Sequence, residues 1–126
     1  MRFAARMIRG GIALIALTFA MLSMPGWATE KKYSPGASDD EIKIGQTMSY
    51  SGPNSPFAVV GQTFDGYFRK VNDEGGIGGR KIKFISYDDA FNPAKTVEQT
   101  RRLIESDEVL FTVGSLGTAL QFAVQR

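Results

Sequence analysis

The chain has 126 residues, enough for one domain of ordinary size, and contains neither cysteine nor histidine. That composition excludes a disulfide framework, thiolate catalysis, Ser-His-Asp triads and ordinary zinc sites built from this chain alone. The net charge of +2 includes Arg2, Arg6 and Arg9; from residue 29 onward, 12 basic residues face 13 acidic ones, without the basic excess that a nucleic-acid surface needs.

Met1–Gly11 carries three arginines and no acid. Ile12–Met24 is apolar apart from Thr18 and Ser23, and small residues follow at Gly26 and Ala28. This three-part pattern predicts a secretory signal peptide over residues 1–28, cleaved after Ala28. The apolar run is too short for the roughly 20 residues that span a bilayer. In a bacterium with two membranes the exported domain is expected in the periplasm. Residues 29–41 are polar, with Pro35-Gly36 and Asp39-Asp40-Glu41, and read as a flexible arm.

The domain proper is expected over residues 42–126. Ile42–Met48 is the first strand. Ser49–Pro56 is a loop, because two prolines and a glycine forbid regular structure. Phe57–Glu74 is a helix with Val60, Phe64, Phe68 and Val71 in one apolar stripe. Gly61 and Gly66 inside it imply close approach of another backbone, or a helix that starts later. Gly75-Gly76 ends it. Lys81–Tyr87 is the second strand, with Lys81 and Lys83 on one side, as suits a sheet edge. Asp88–Phe91 is a loop. Asn92 caps a helix that begins with Pro93 and runs to about Ser106. Ala94, Val97, Thr100, Leu103 and Ile104 are predicted to face the sheet. Glu98 with Arg102, and Arg101 with Glu105, are spaced to pair on the outer face. Val109–Val113, without a charge, suits a strand buried on both faces. Ala119–Arg126 opens a third helix. The alternation predicts an α/β fold: a doubly wound parallel sheet, βαβαβα, with right-handed crossovers.

Ligands of such sheets bind outside the carboxyl ends of the strands, where neighbouring connections diverge to opposite faces. The loops after strands one and three are rich in hydroxyls and glycine. Ser51, Ser115 and Thr118, with Leu116 and Gly117 between the last two, form the candidate site. Their hydroxyls and backbone N–H groups suit a carboxylate. Tyr50 and Phe57 suit the apolar part of a ligand. Each has a plainer role open to it as well: serine and threonine cap helices, Phe57 packs a helix end, and Asp88-Asp89 form turns. Gly75–Gly79 precedes a strand, so it is no phosphate cradle, and Gly45–Gly52 lacks the Walker spacing and lysine. No cofactor and no metal site is expected.

Ile42–Pro53, Val71–Ile82 with its Gly75-Gly76-Ile77-Gly78-Gly79 run, and Tyr87–Pro93 with Tyr-Asp-Asp resemble, in order, three segments of periplasmic binding proteins of the leucine/isoleucine/valine type. These are the substrate receptors of ABC importers. The resemblance implies a two-lobed receptor that closes on an amino acid or similar small carboxylate and delivers it to a membrane permease. It also implies that Thr118, four residues after Gly114, binds the ligand carboxylate, with Phe57 as the nearest aromatic. The family's chains are several times longer. This chain is therefore expected to be a fragment, a partial N-terminal lobe without the second lobe, unable to close on a ligand by itself. A binding role without catalysis is the first reading. An exported α/β enzyme, or a sensor ectodomain, is the alternative. The ligand stays open among amino acids, amides and aromatic carboxylates.

Overall fold

The computed structural model describes residues 32–125. The signal-peptide expectation lies outside them. Three parallel strands form one sheet in the order β2-β1-β3: β1 is Glu41–Met48, β2 is Lys81–Asp88 and β3 is Phe111–Thr112. β1 runs beside β2 in register over all eight residues, Glu41 opposite Lys81 through Met48 opposite Asp88. β3 pairs only Phe111 with Ile44 and Thr112 with Gly45. The helices are α1 (Ala58–Asp73), preceded by a 3-10 turn at Ser55–Phe57, then α2 (Pro93–Glu105) and α3 (Thr118–Val124). The α/β fold with a parallel sheet, expected from the alternation, is therefore what forms.

The two helical layers follow from the alternation of side chains along β1. Ile42 and Ile44 join Ile82 in a buried cluster covered by Phe68 and Val71 of α1, with Phe84 and Val113 beside it. The predicted stripe of α1 therefore faces the sheet, and Phe64, Phe68 and Phe84 stack at ring separations of 5.2–6.3 Å. On the opposite face, Gly45 lies under fully buried Leu103 of α2.

Several expectations need correction. Gly61 is crowded by the Tyr50 ring rather than by a backbone, and at Gly66 nothing lies within 4 Å. The sheet-facing residues of α2 are Thr96 and Leu103; Val97, Thr100 and Ile104 instead line a groove against Ala123 and Val124 of α3. The reason is polar: Thr96 turns inward to donate to buried Asp89. Arg101 does reach Glu105, at 3.7 Å, but Arg102 lies over the Tyr87 ring at 4.3 Å. β3 is shorter than Val109–Val113 and is not buried on both faces: Phe111 is 49% exposed. It pairs with β1 alone and lies at the sheet edge among the described residues; of the predicted strand, Val113 packs on the isoleucine cluster and Val109 lies beside Leu103 over Gly45. The segment before β1 docks at its end. Lys43 N donates to Gly36 O at 2.7 Å, and Ala37 bridges to Ile42.

Candidate functional site at the carboxyl rim

Because all three strands are parallel, their carboxyl ends share one rim. The β1–α1 loop leaves toward the face covered by α1. The β3–α3 loop leaves toward the face of α2, against which α3 packs. The divergence between β1 and β3 is the position where open parallel sheets hold ligands.

The β1–α1 loop is fastened to the end of β2 by one carboxylate. Asp88 Oδ1 accepts from Tyr50 N at 2.9 Å, Ser51 N at 3.1 Å and Ala90 N at 3.0 Å. Asp88 Oδ2 accepts from Ser51 Oγ at 2.6 Å and from Lys95 Nζ at 3.1 Å. Burial alone pushes this carboxyl up, but hydrogen bonds from the Ser51 hydroxyl, Ala90 N, Lys95 and Ser51 N outweigh it and hold Asp88 well below the usual carboxylate range. Asp89, buried, accepts from Ser49 Oγ, Phe91 N and Thr96 Oγ1 at 2.9–3.2 Å. The two aspartates thus do more than form a turn. They support Ala90 and Phe91 at φ 49° and 57°, a left-handed conformation that costs roughly 1–2 kcal/mol per residue.

The β3–α3 loop is fastened to β1 on both faces. On one face, Gln46 Nε2 donates to Gly114 O at 3.2 Å, while Gln46 Oε1 accepts from Ser86 Oγ at 3.0 Å. Ser86 Oγ in turn lies 2.6 Å from Tyr50 Oη, so a polar relay beneath α1 joins the two loops. On the other face, Ser115 Oγ accepts from Thr47 Oγ1 at 3.3 Å and from Thr47 N at 3.5 Å. Gly114, at φ 64°, has no room for a Cβ beside the Phe64 ring. Gly117, at φ 102°, would set a Cβ 2.9 Å from the Phe91 ring, which the left-handed turn after β2 delivers there.

The candidate residues therefore lie as follows. Ser51 is exposed and tied to Asp88; Ser115, Leu116 and Gly117 are half-buried; Thr118 is exposed and is the first residue of α3. Among the described residues, neither Ser51, Ser115 nor Thr118 caps a helix through its side chain: the residues before α1 and α3 are Phe57 and Gly117. Phe57, 48% exposed, sits on the turn into α1. Tyr50 points onto Gly61 and Ser86 beneath α1. The residues that the sequence did not single out are Gln46, Thr47 and Phe91; Asp88 and Asp89 were read only as turn formers. A signal existed for the first two, which are polar in an otherwise apolar strand end and buried at 0% and 2% exposure. Among the described residues, no three His, Cys, Asp or Glu side chains are grouped as metal ligands, and no helix is long and apolar enough to cross a membrane.

Residues 41–126 match the periplasmic binding protein family, and the chain belongs to that family. Over 81 residues it is 31% identical to an amino acid binding protein of Pseudomonas aeruginosa, covering 59% of this chain and 20% of that one. Over 86 residues it is 30% identical to the leucine-specific-binding protein of Salmonella typhimurium, covering 66% of this chain and 22% of that one. The structure of a fatty acid ABC transporter substrate-binding protein from Thermomonospora curvata superimposes with a TM-score of 0.66 at 29% identity, over 75% of this chain and 24% of that one. The chain thus spans about a fifth of the length of the curated relatives it matches. The family consists of substrate-binding receptors.

Proposed function

We propose that the chain is the N-terminal ligand-binding part of an exported receptor of an ABC importer, without catalytic activity. Residues 1–28 act as the cleaved signal peptide that brings it to the periplasm, and residues 41–126, with the segment docked before β1, as part of the first of two lobes. The ligand is an amino acid or a related small carboxylate, held between the lobes and passed to a membrane permease. Ser51, Phe57, Ser115, Leu116, Gly117 and Thr118 form this lobe's share of the site.

The observation that carries this reading is the divergence of two hydroxyl-bearing loops at the β1/β3 rim, one fastened by buried Gln46 and Thr47 of β1 and the other by half-buried Asp88 of β2. Such fastening presents the hydroxyls at fixed positions, which lowers the ordering cost of binding. Isothermal titration of the full-length protein against amino acids and small carboxylates tests it. Micromolar binding of at least one is expected. Thr118→Val should weaken that binding by about 1–3 kcal/mol, the cost of leaving a charged acceptor without its donor. Absence of binding across the panel overturns the reading, and an unchanged dissociation constant removes Thr118 from the site.

A further inference from the structure

Gln46, on the α1 face of β1, is fully buried between two neighbours that need opposite things of its amide. On one side lies Gly114 O, a carbonyl that can only accept, so Nε2 faces it, at 3.2 Å. On the other lies Ser86 of β2, directly opposite Gln46 in the register, which donates its hydroxyl hydrogen to Gln46 Oε1 at 3.0 Å. With that hydrogen committed, the 2.6 Å bond between Tyr50 and Ser86 is donated by Tyr50 Oη. The hydrogens therefore run in one sense, from Tyr50 through Ser86 and Gln46 to Gly114 O. Two glycines leave room for the relay. A Cβ at Gly61 would lie 2.2 Å from Tyr50 Oη and 2.9 Å from Gln46 Oε1, and one at Gly114 would lie 3.0 Å from Gln46 Nε2. Glycine weakens a helix interior, and at Gly61 the Tyr50 phenol takes up the space gained.

Resting on the reading of this rim as the ligand edge, we propose that Gln46 is its positioning residue: the amide couples the β3–α3 loop to Tyr50 and β2, so that Ser115–Thr118 are held from the β1–α1 loop as well as from Thr47. Methionine would fill the same length, but it neither donates to Gly114 O nor accepts well from Ser86. The other tie of the β3–α3 loop, from Thr47 to Ser115, is 3.3–3.5 Å long, so loss of the relay leaves the loop weakly held. Removing the Ser86 hydroxyl acts at a distance. It leaves Gln46 Oε1 buried without a donor, and turning the amide to relieve that takes Nε2 off Gly114 O.

The test is amide hydrogen exchange of the full-length protein, read at Val113, whose N–H donates to Gly45 O at 2.9 Å next to Gly114. Gln46→Met should lower protection there about tenfold. Ser86→Ala, on a strand that β1 separates from β3, should lower it about three- to tenfold. The double variant should be no worse than Gln46→Met, because both changes break one relay, whereas side chains that merely fill the core give losses that add. Should Gln46→Met not fold, Ser86→Ala and Tyr50→Phe carry the same comparison. Unchanged protection at Val113 in Ser86→Ala, or additive losses in the double variant, overturns the proposal. Isothermal titration with the twenty amino acids, acetate and benzoate, each taken singly, reads the positioning itself. Ser86→Ala should weaken every ligand that the wild type takes by about three- to tenfold, although Ser86 lies beneath α1 and outside the candidate site. Unchanged binding in Ser86→Ala removes the positioning role and leaves the receptor reading standing. If the wild type takes none of these ligands, the receptor reading fails and the positioning role fails with it.

Discussion

The two seams of the sheet differ in how they hold the loops above them. β1 and β2 pair over eight residues, and the seam ends in a carboxylate that gathers five hydrogen bonds. β1 and β3 pair over two residues, and the loop above hangs on one amide and one hydroxyl, at 3.2–3.5 Å. Hydrogen bonds to a charged group are about twice as strong as neutral ones, and bonds at 3.5 Å are marginal. One half of the rim is therefore a fixed wall, and the other opens at lower free energy. Amide hydrogen exchange of the full-length protein should show slower exchange at Tyr50 and Ser51 than at Ser115 and Leu116.

The variants that break this contrast can be ranked. Gly114→Ala has the largest expected effect, since it forces a Cβ into left-handed backbone against the Phe64 ring; a loss of about 3 kcal/mol is expected in denaturant unfolding. Asp88→Ala leaves the N–H groups of Ser51 and Ala90 without their acceptor, while Tyr50 N keeps Met48 O, and should cost about 2 kcal/mol while raising the exchange rate of Ser51 to that of the weaker seam. This second effect depends on pH in a defined direction. The folded Asp88 carboxyl titrates below its unfolded value of about 3.9, so its stabilisation is complete above that value and is lost as pH falls toward the folded one. The difference between wild type and Asp88→Ala should be flat between about pH 5 and 8 and shrink below about pH 4. Thr47→Val has the smallest effect, under about 1 kcal/mol, because the bond it removes is long; it should speed exchange at Ser115 alone.

How much of this was legible in the chain depends on the range of the interaction. The apolar stripe of α1, the Asn92 cap with its acceptance from Ala94 N and Lys95 N, and the lysines of the edge strand β2 were all readable. Each is decided by neighbours within a few residues. The hydroxyls of the rim were also legible as a set, because strand ends followed by small polar residues mark a rim in any parallel sheet. Their partners were not. Ser51 meets Asp88 across 37 residues, and Thr47 meets Ser115 across 68.

The chain by itself determined the alternation of elements, the parallel sheet and the rim on which a ligand can sit, since period, caps and turns are local physics. Tertiary structure alone decided that Thr96 rather than Val97 turns inward, that Arg102 stacks on Tyr87, and that Ser51 and Ser115 point their hydroxyl hydrogens in opposite senses. A hydroxyl carries no polarity of its own. Whether it gives or receives is set by the partner that folding brings within 3 Å or so, and that partner comes from a distant part of the chain.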